Sequence, residues 1–262
     1  MLRRFCLIFL RLLGVLCVCL EATLRYYFTI KWAGKAASVK ACSRWMHVTA
    51  RRMAWVLGLR VTYEGEPPRE GVLVSNHISY IDIIAHATRT PLVFISKAEV
   101  ENWPVFGPLT RWAGTLFIRR EVRKDVQRVA DEMPRVVGSG NVLTFFPEGT
   151  SSDGSGLLPF RPSLLAPIVE HCWTVTPAFI RYTLEPGDGT VEDDVAYYRP
   201  ETVFGLHLFR LLGRRRIFVK ISYGASVEPG ADRKALALAL RESVSRLGGL
   251  ELAAGSAAAE IV

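Results

Sequence analysis

The chain has 262 residues, of which 50% are hydrophobic and 10% aromatic, enough apolar material for one sizeable buried core. This composition excludes an intrinsically disordered or collagen-like protein. The formal net charge is +8, but residues 1–60 hold eleven Lys and Arg against one acid, Glu21, so residues 61–262 carry −2. A basic, apolar arm before a nearly neutral body is typical of a membrane-surface protein and disfavours a nucleic-acid-binding protein with a basic groove.

Five cysteines are spread along the chain without the spacing of a metal site. Four of them fall in the first 60 residues, where a thiol behaves as a small hydrophobic group. An odd number without a paired pattern also fits a reducing compartment. We therefore predict reduced, structural cysteines and no metal ion. The residues concerned are Cys6, Cys17, Cys19, Cys42 and Cys172.

The segment Phe5–Leu20 is apolar except for Arg11 and follows Arg3 and Arg4, but the A-x-A cleavage site of a signal peptide does not come after it. Its 16 residues fall short of the roughly 20 apolar residues that span a bilayer. Arg4 and Arg11 are seven residues apart and share one helical face. We predict a helix that lies in the membrane interface or dips into one leaflet. A tilted span in which Arg11 reaches the headgroups is the alternative.

A second amphipathic helix is predicted over Ala36–Leu57. Its basic face holds Lys40, Arg44 and Arg51, and its apolar and aromatic face holds Trp45, Val48, Trp55 and Val56. Tryptophan and arginine at this density are typical of anchors to anionic headgroups, although the pattern also fits a helix packed on the body. Residues 1–60 are therefore predicted to form a membrane-binding helical arm, with the cytoplasmic face of the inner (plasma) membrane as the expected location.

Short β-rich apolar runs alternate with helical patterns from residue 61 onward, as in a sheet whose faces are covered by helices. The predicted strands are Gly71–Ser75, Leu92–Ser96, Thr115–Ile118, Asn141–Phe146, Thr174–Tyr182 and Arg216–Ser222. The predicted helices are Ser79–Thr88, Trp103–Trp112, Glu121–Val137, Pro162–Cys172 and Ala231–Leu247, with a loop over Glu185–Asp194. We predict an α/β fold with a mixed, mostly parallel sheet and helices on both faces over residues 61–247, followed by a flexible tail over 248–262.

The first candidate pair lies in the sequence NHISYID, directly after the strand Gly71–Ser75. In an unbroken helix the side chains of His77 and Asp82 would point about 140° apart. A break at Ser79 would let the carboxylate reach the imidazole, where it fixes the tautomer and stabilises the imidazolium of a general base. Ser79 and Asp82 also have the S-x-x-D spacing of a helix start, so a purely structural cap is the alternative role of Asp82.

The second candidate segment, FPEGTSS, follows the apolar run Val142–Phe146. Proline and glycine predict a loop at the carboxyl end of a strand, which is where open α/β sheets bind ligands. Gly149 permits close approach of the backbone, and packing gives little reason for an acid at Glu148. An ordinary turn is the alternative.

The third candidate segment, GTLFIRR, is a strand that ends in Arg119 and Arg120. Guanidinium groups bind phosphate oxygens bidentately. Because neighbouring side chains on a strand point to opposite faces, only one of the two is expected to face the site.

The sequence gives less support to covalent serine catalysis, nucleotide binding or a metal site. The sequence contains no GxSxG elbow, P-loop, GxGxxG or HExxH motif. A metal ion at His77 and Asp82 would lack a third ligand. The remaining histidines stand alone and are predicted to be surface or packed side chains, namely His47, His86, His171 and His207.

In this order, NHISYID, GTLFIRR and FPEGTSS resemble the three blocks of the glycerolipid acyltransferase family, which includes bacterial lysophosphatidic acid acyltransferase and carries an HxxxxD motif. The proline-containing strand Val175–Ala178 is similar to the family's fourth block. The resemblance covers about residues 61–223, and the first 60 residues resemble the family's membrane-binding helices. It implies an enzyme of phospholipid biosynthesis that acts at a membrane.

The resemblance also implies a role for each matching residue. His77 would deprotonate the hydroxyl of the acceptor and Asp82 would orient His77, without an acyl-enzyme. The acceptor's polar head would be held by Arg119, Glu148 and Gly149, and secondarily by Arg120 and Thr150. The implied acceptor is a lysophospholipid, foremost 1-acyl-sn-glycerol 3-phosphate, which becomes phosphatidic acid. Acyl-coenzyme A or acyl carrier protein would be the co-substrate and membrane phospholipids the partners; no further cofactor, metal or nucleic acid is expected.

One segment departs from the family pattern, and it leaves the acceptor open. Residues 160–163 read FRPS, where the family often has phenylalanine, a basic residue and glycine, so a proline alters the expected acceptor pocket. The run FPEGTSSDG followed by LPF is also similar to members that acylate lyso-ornithine lipid, whose zwitterionic head would offer Arg119 no phosphate. That acceptor is the first alternative.

Two alternatives change the class of the protein. A non-catalytic, membrane-bound lipid-binding module would keep the fold, but the presence of both His77 and Asp82 argues against a decayed site. A thioesterase or lipid hydrolase would use water at the same base, and only the dependence of product on an acceptor separates it from a transferase.

Overall fold

The structure is a computed structural model that describes residues 2–32 and 38–251. Within these ranges a seven-stranded sheet forms the centre of the molecule, with helices packed on both faces. Its strands are β1 (Leu59–Glu64), β2 (Gly71–Ser75), β3 (Leu92–Lys97), β4 (Leu116–Ile118), β5 (Val142–Phe145), β6 (Val175–Leu184) and β7 (Ile217–Tyr223). The helices are α1 (Leu2–Tyr26), α2 (Val39–Leu57), α3 (Ile81–Ala87), α4 (Phe106–Trp112), α5 (Arg123–Val137), α6 (Ala166–Glu170), α7 (Val191–Asp194), α8 (Phe204–Leu212) and α9 (Arg233–Gly248).

The strand order is β1-β7-β6-β2-β5-β3-β4. In this described sheet every neighbouring pair is parallel except β6 and β7. All residues of the central strand β2 are buried, because a parallel strand is covered on both faces. Leu73 packs into the core on the side of α2, α3 and α8, whereas Val72 and Val74 pack on the side of α5, α6 and α9. The predicted α/β fold with a mixed, mostly parallel sheet is confirmed.

The order of the strands determines where the candidate segments meet. β2 and β5 are parallel neighbours, with Val74 opposite Phe145. The loops that follow them therefore leave the same edge of the sheet side by side. This register brings NHISYID and FPEGTSS together although about 70 residues separate them.

The N-terminal helix α1 lies on the body with one face and exposes the other. Ile8 and Val15 are buried, whereas Phe9 and Leu16 are exposed. The Arg11 guanidinium is on the buried face and donates hydrogen bonds to the carbonyl oxygens of Leu212, Arg214 and Arg215, at the end of α8. Arg11 is thus satisfied by the carboxyl end of a helix, where a cation is favoured, rather than by headgroups.

The exposed face of α1 is almost wholly apolar, with large side chains at Phe5, Phe9, Leu10, Leu13, Leu16, Leu20 and Leu24. Within the described residues, the stretch Arg3–Lys31 is the one helix long and apolar enough to cross a membrane, and 28% of its most apolar window is buried against the body. A helix tied to the body along one side, with an apolar face outward, fits the predicted position in a membrane interface.

The two tryptophans of α2 have different surroundings. Trp55 is 79% exposed and remains available as an interfacial anchor. Trp45 is buried, and its indole N–H donates to the carbonyl oxygen of Ala22 at 2.9 Å. For Trp45 the alternative of a helix face packed on the body is therefore the one that the structure shows, since Trp45 joins α2 to α1.

The predicted strands agree with β2 to β7 to within two residues at each end. Three elements were missed: the edge strand β1, whose outward side chains are polar, the apolar helix α8, and the short helix α7 inside the predicted loop Glu185–Asp194. The predicted start of the second helix at Ala36 and residues 252–262 of the predicted tail lie outside the described residues.

Candidate active site

The loop after β2 brings His77 and Asp82 together. His77 lies in extended backbone before α3, and Asp82 lies in the first turn of that helix. The chain bends between them, so His77 Nδ1 and Asp82 Oδ2 are 2.7 Å apart. A carboxylate can only accept at this position, so the proton resides on Nδ1 and the lone pair on Nε2. The pair has the geometry of a general base with its orienting acid.

Asp82 is fully buried and bonds to three further donors. Its Oδ2 also accepts the backbone N–H groups of Ile78 and Ser79, at 2.7 and 3.0 Å. Its Oδ1 accepts the hydroxyl of Tyr182, on β6, at 2.6 Å. Asp82 thus performs both predicted roles at once, since it closes the start of the helix and holds the imidazole. The Ser79 hydroxyl has no partner among the described residues, so only the acid half of the capping box is formed.

Tyr182 was not singled out from the sequence. It is 100 residues from Asp82, and a tyrosine in an apolar strand is normally a core residue. Burial beside the Asp82 carboxylate raises the pKa of Tyr182 well above its ordinary value, so the phenol remains a donor. The pairing of β2 with β6 is the only signal that could have found it, because that pairing places the two residues on one side of the site.

The imidazole and the backbone of His77 are held from the loop after β5. The imidazole stacks on the Phe146 ring, with centroids 4.1 Å apart and planes 6° from parallel. The His77 N–H donates to Glu148 Oε1 at 2.9 Å, and its carbonyl accepts the Ser152 N–H at 2.8 Å. His77 is still 21% exposed and lines a polar cavity, so the Nε2 edge is the part available to a substrate.

Glu148 faces inward, away from this cavity. Its carboxyl group is buried and accepts backbone N–H groups from His77 and, at 3.2 Å, Leu158. Burial raises the pKa of Glu148 to about 8, although these two hydrogen bonds oppose the change. The structure therefore places Glu148 under the catalytic loop, where it ties that loop to residue 158, and not at the acceptor's head as predicted.

The polar cavity has a volume of about 330 Å³ and is lined by two of the other predicted residues, Gly149 and Thr150. Arg120 also lines it, whereas Arg119 is 62% exposed and pairs with Asp125 at 3.5 Å. The two arginines face different ways, as expected for neighbouring residues, and the order in which they contribute to binding the acceptor's head stays a prediction. Both arginines follow β4 in the segment before α5, and Arg120 rather than Arg119 lines the cavity.

Arg120 is the side chain in the cavity wall whose charge lacks compensation. Its buried Nε and Nη1 atoms have no hydrogen-bond partner among the described residues. Burial and the neighbouring Arg161 lower the pKa of Arg120. Gly149 has φ +81°, and a Cβ there would lie 2.5 Å from Arg120 Nη1, so glycine leaves room for the guanidinium. A guanidinium with unused donors in the wall of the cavity that His77 also lines favours an anion there.

A second, apolar cavity adjoins the polar one. Its walls come from α1, α2, α3, α4 and α8, with side chains such as Val15, Ala50, Met53, Leu109 and Leu208. Both cavities share the lining residues Tyr80, Ile83, Ser96, Val100 and Trp103. The apolar cavity has a volume of about 120 Å³, below the roughly 300 Å³ of small ligand pockets, so a long chain requires its walls to part. The polar cavity can therefore hold an anionic head beside His77, and an apolar tail would fit behind it only once these walls part.

Known proteins share this architecture. The family model described as Acyltransferase matches residues 60–181. The chain is 32% identical over 191 residues to the 1-acyl-sn-glycerol-3-phosphate acyltransferase of Neisseria gonorrhoeae, covering 72% of this chain and 73% of that protein. The chain belongs to the acyltransferase family. The predicted family and the predicted class of enzyme are confirmed.

This acyltransferase is also similar to relatives with a different printed acceptor. It is 37% identical over 201 residues to the lyso-ornithine lipid O-acyltransferase of Pseudomonas aeruginosa, covering 74% of each chain. Its fold matches the crystal structure of the 1-acyl-sn-glycerophosphate acyltransferase PlsC from Thermotoga maritima, with a TM-score of 0.66 over 96% of this chain and 98% of that one, at 19% identity. Together with the exposed apolar face of α1, these lipid enzymes support membrane association.

Proposed function

We propose that this acyltransferase transfers a fatty acyl group from an acyl thioester to the free hydroxyl of 1-acyl-sn-glycerol 3-phosphate, giving phosphatidic acid. The donor is acyl-coenzyme A or acyl carrier protein, and the enzyme acts at the cytoplasmic face of the inner membrane. The observation that carries this proposal is the unpartnered Arg120 guanidinium in the wall of the cavity that His77 lines. It supports an anionic acceptor held beside the base.

The reaction follows from the hydrogen bonds of the pair. His77 Nε2 takes the hydroxyl proton as the acceptor oxygen attacks the thioester carbonyl carbon. The tetrahedral intermediate expels the thiolate, and the imidazolium returns the proton to that sulfur. Asp82 stabilises the imidazolium through Nδ1, and its three other donors prevent the carboxylate from rotating away. Base catalysis of this kind contributes about 10² to 10⁴ in rate.

The charge of the cavity wall favours a phosphate head over a zwitterionic one. Lys97, Arg120 and Arg199 line the polar cavity, and its described lining contains no Asp or Glu. Arg199 is paired with Glu192 and Asp193, but an ammonium group in the acceptor would still be repelled by Arg120 and Lys97. A phosphate dianion would instead meet the unused donors of Arg120 and the exposed ammonium of Lys97.

The second candidate keeps the reaction and changes the acceptor to lyso-ornithine lipid. It is supported by the 37% identity to the Pseudomonas aeruginosa enzyme over three quarters of the chain. A guanidinium also binds a carboxylate bidentately, so Arg120 would hold the head's carboxylate in this case. The ammonium of ornithine would then have to point away from Lys97 toward solvent.

The deciding experiment uses purified protein in detergent with a radiolabelled acyl thioester, offered as acyl-coenzyme A and as acyl carrier protein. Lysophosphatidic acid, lyso-ornithine lipid and no acceptor are compared, with His77→Ala alongside. Product on lysophosphatidic acid that disappears in the variant is expected. Product on lyso-ornithine lipid alone would establish the second candidate, and thioester loss without an acceptor would establish a hydrolase.

A further inference from the structure

Helix α8 presents an apolar face that nothing in the described structure covers. Leu206 is 63% exposed and Phe209 is 46% exposed, and these side chains are three residues apart on the outward side of the helix. His207 and Leu211 occupy the opposite, buried side. Two large apolar side chains held outward by a well-packed helix are unfavourable in water, which indicates a partner surface.

This face is continuous with the exposed face of α1. The Arg11 guanidinium binds the carbonyl oxygens at the end of α8, and Ile8 packs near Gly213. Val15 of α1 and Leu208 of α8 line the same apolar cavity. The two helices therefore lie against each other, and their outward apolar residues form one surface.

Two arginines at the edge of this surface favour an anionic bilayer as the partner, although Asp193 and Asp194 of α7 lie near them and offset part of their charge. Arg210 is exposed on the outward side of α8, beside Phe209, and exposed Arg4 lies close to Gly213 at the end of the helix. Apolar side chains between arginines are the pattern of a helix that inserts at a lipid interface, where each basic residue adds attraction to anionic headgroups.

The opposite side of α8 connects this surface to the active site. The Phe204 ring packs on Trp103 at 4.6 Å and on Tyr80 at 5.1 Å between centroids, where the polar and apolar cavities meet. His207 Nδ1 lies 3.1 Å from the Tyr80 hydroxyl. A bilayer that receives Leu206 and Phe209 would thus lie next to the cavity that takes the lipid tail.

We propose that α8 is a second membrane-inserting helix, outside the N-terminal arm, which places Leu206 and Phe209 in the acyl region of an anionic bilayer beside α1. The helix docks the mouth of the lipid-binding cavity on the membrane surface. Vesicle binding is independent of turnover, so the inference does not depend on which acceptor the enzyme uses.

Sedimentation with vesicles of phosphatidylglycerol and phosphatidylethanolamine tests this proposal. The double variant Leu206→Glu, Phe209→Glu should bind at least about tenfold more weakly than the wild type. The matched control is Leu238→Glu on α9, where the leucine is 38% exposed on the other side of the sheet. Binding of the double variant within twofold of this control would overturn the proposal.

A second measurement uses tryptophan variants, which introduce no charged side chain into the fold. In Leu206→Trp, the added fluorescence should be quenched by vesicles whose acyl chains are brominated, and the same addition in Leu238→Trp should not. Equal quenching at both positions, or none at 206, would contradict insertion of α8. In excess detergent, where substrate needs no docking, the double glutamate variant should turn over within about threefold of the wild type, and a loss there would show that the substitutions act on the site itself.

Discussion

The polar and apolar cavities of this acyltransferase are neighbours, but they are built in different ways. The polar cavity is made by short loops at the carboxyl ends of adjacent strands, and its chemistry comes from a few residues of three motifs. The apolar cavity is lined mainly by side chains of five helices, from Val15 on α1 to Leu208 on α8. The first is specified by hydrogen bonds and charge, the second by packing.

This difference predicts how each cavity responds to substitution. Neighbouring side chains cannot replace a hydrogen-bonded pair or an uncompensated charge, so a substitution there should lower activity by large factors. An apolar wall can be rebuilt by neighbouring side chains, so its changes should alter preference among substrates by smaller factors.

The largest effect is expected at the base. His77→Ala should lower kcat by about 10² to 10⁴, because proton removal from the acceptor then depends on water. Turnover is measured with labelled acyl thioester, and circular dichroism and vesicle binding should stay unchanged. The matched control is His171→Ala, an exposed histidine stacked on Trp173, which should retain full activity. Undiminished turnover in the His77 variant would remove it as the base.

His86 lines neither cavity and lies behind the candidate site, with its ring centroid 6.2 Å from that of Phe146, and it gives a prediction for the dependence of stability on pH. It is fully buried, neither ring nitrogen has a partner among the described residues, and burial lowers its pKa to about 4 from an ordinary value of 6.5. The unfolded chain binds this proton below pH 6.5 and the folded chain does not. The free energy of unfolding should therefore fall as the pH drops from about 6.5 to about 4.

In the variant His86→Leu, the free energy of unfolding should not show this fall at low pH. Urea unfolding in mild detergent is measured for both proteins across that range, and the unfolding equilibrium of the wild type should move on the order of 100-fold relative to the variant. Above pH 7 the difference between the two should stay constant. If the free energies of unfolding of the two proteins change in parallel over the whole pH range, His86 is not held neutral in the folded protein.

At the anion site, Arg120→Ala should raise the KM for lysophosphatidic acid by about 10 to 100-fold, because a charge-assisted hydrogen bond contributes about 1.5–3 kcal/mol. The neighbour Arg119→Ala is the control and should change KM by less than about threefold, since its side chain is exposed and paired with Asp125. A larger rise in KM for Arg119→Ala than for Arg120→Ala would show that Arg119 binds the acceptor's head.

The apolar cavity is tested by Ala50→Leu, which adds volume to its wall. The ratio of turnover with long to short acyl chains should fall by about tenfold, since a filled cavity excludes the end of a chain. Ala54→Leu overfills the same helix at a buried position that does not line the cavity, and so controls for general destabilisation. An equal fall of this turnover ratio in both variants would show that the apolar cavity does not select the length of the acyl chain.

The smallest effect is expected at Tyr182→Phe, which removes the hydroxyl that binds Asp82 Oδ1. Three donors to the carboxylate remain, so kcat should fall by only about three to tenfold, with KM nearly unchanged. A loss as large as that of His77→Ala would show that Tyr182 takes part in proton transfer.

The sequence by itself determined the fold class, the position of six of the seven described strands and the two members of the hydrogen-bonded pair, His77 and Asp82. It could do so because these features are local: strands carry short apolar runs, and His77 and Asp82 are five residues apart across a helix start. The ordered motifs also identified the family. Each of these signals is contained within a few consecutive residues.

Only the tertiary structure decided the roles that depend on direction or on distant neighbours. The segment after β4 places Arg120 rather than Arg119 in the cavity wall, and strand pairing brings Tyr182 to Asp82 across 100 residues. Glu148 faces the backbone of the catalytic loop rather than the acceptor, and α8 lies beside α1 although nearly 200 residues separate them. A sequence specifies which groups are present, but side-chain direction and contacts between distant segments follow from how sheet and helices pack, which no short window of residues contains.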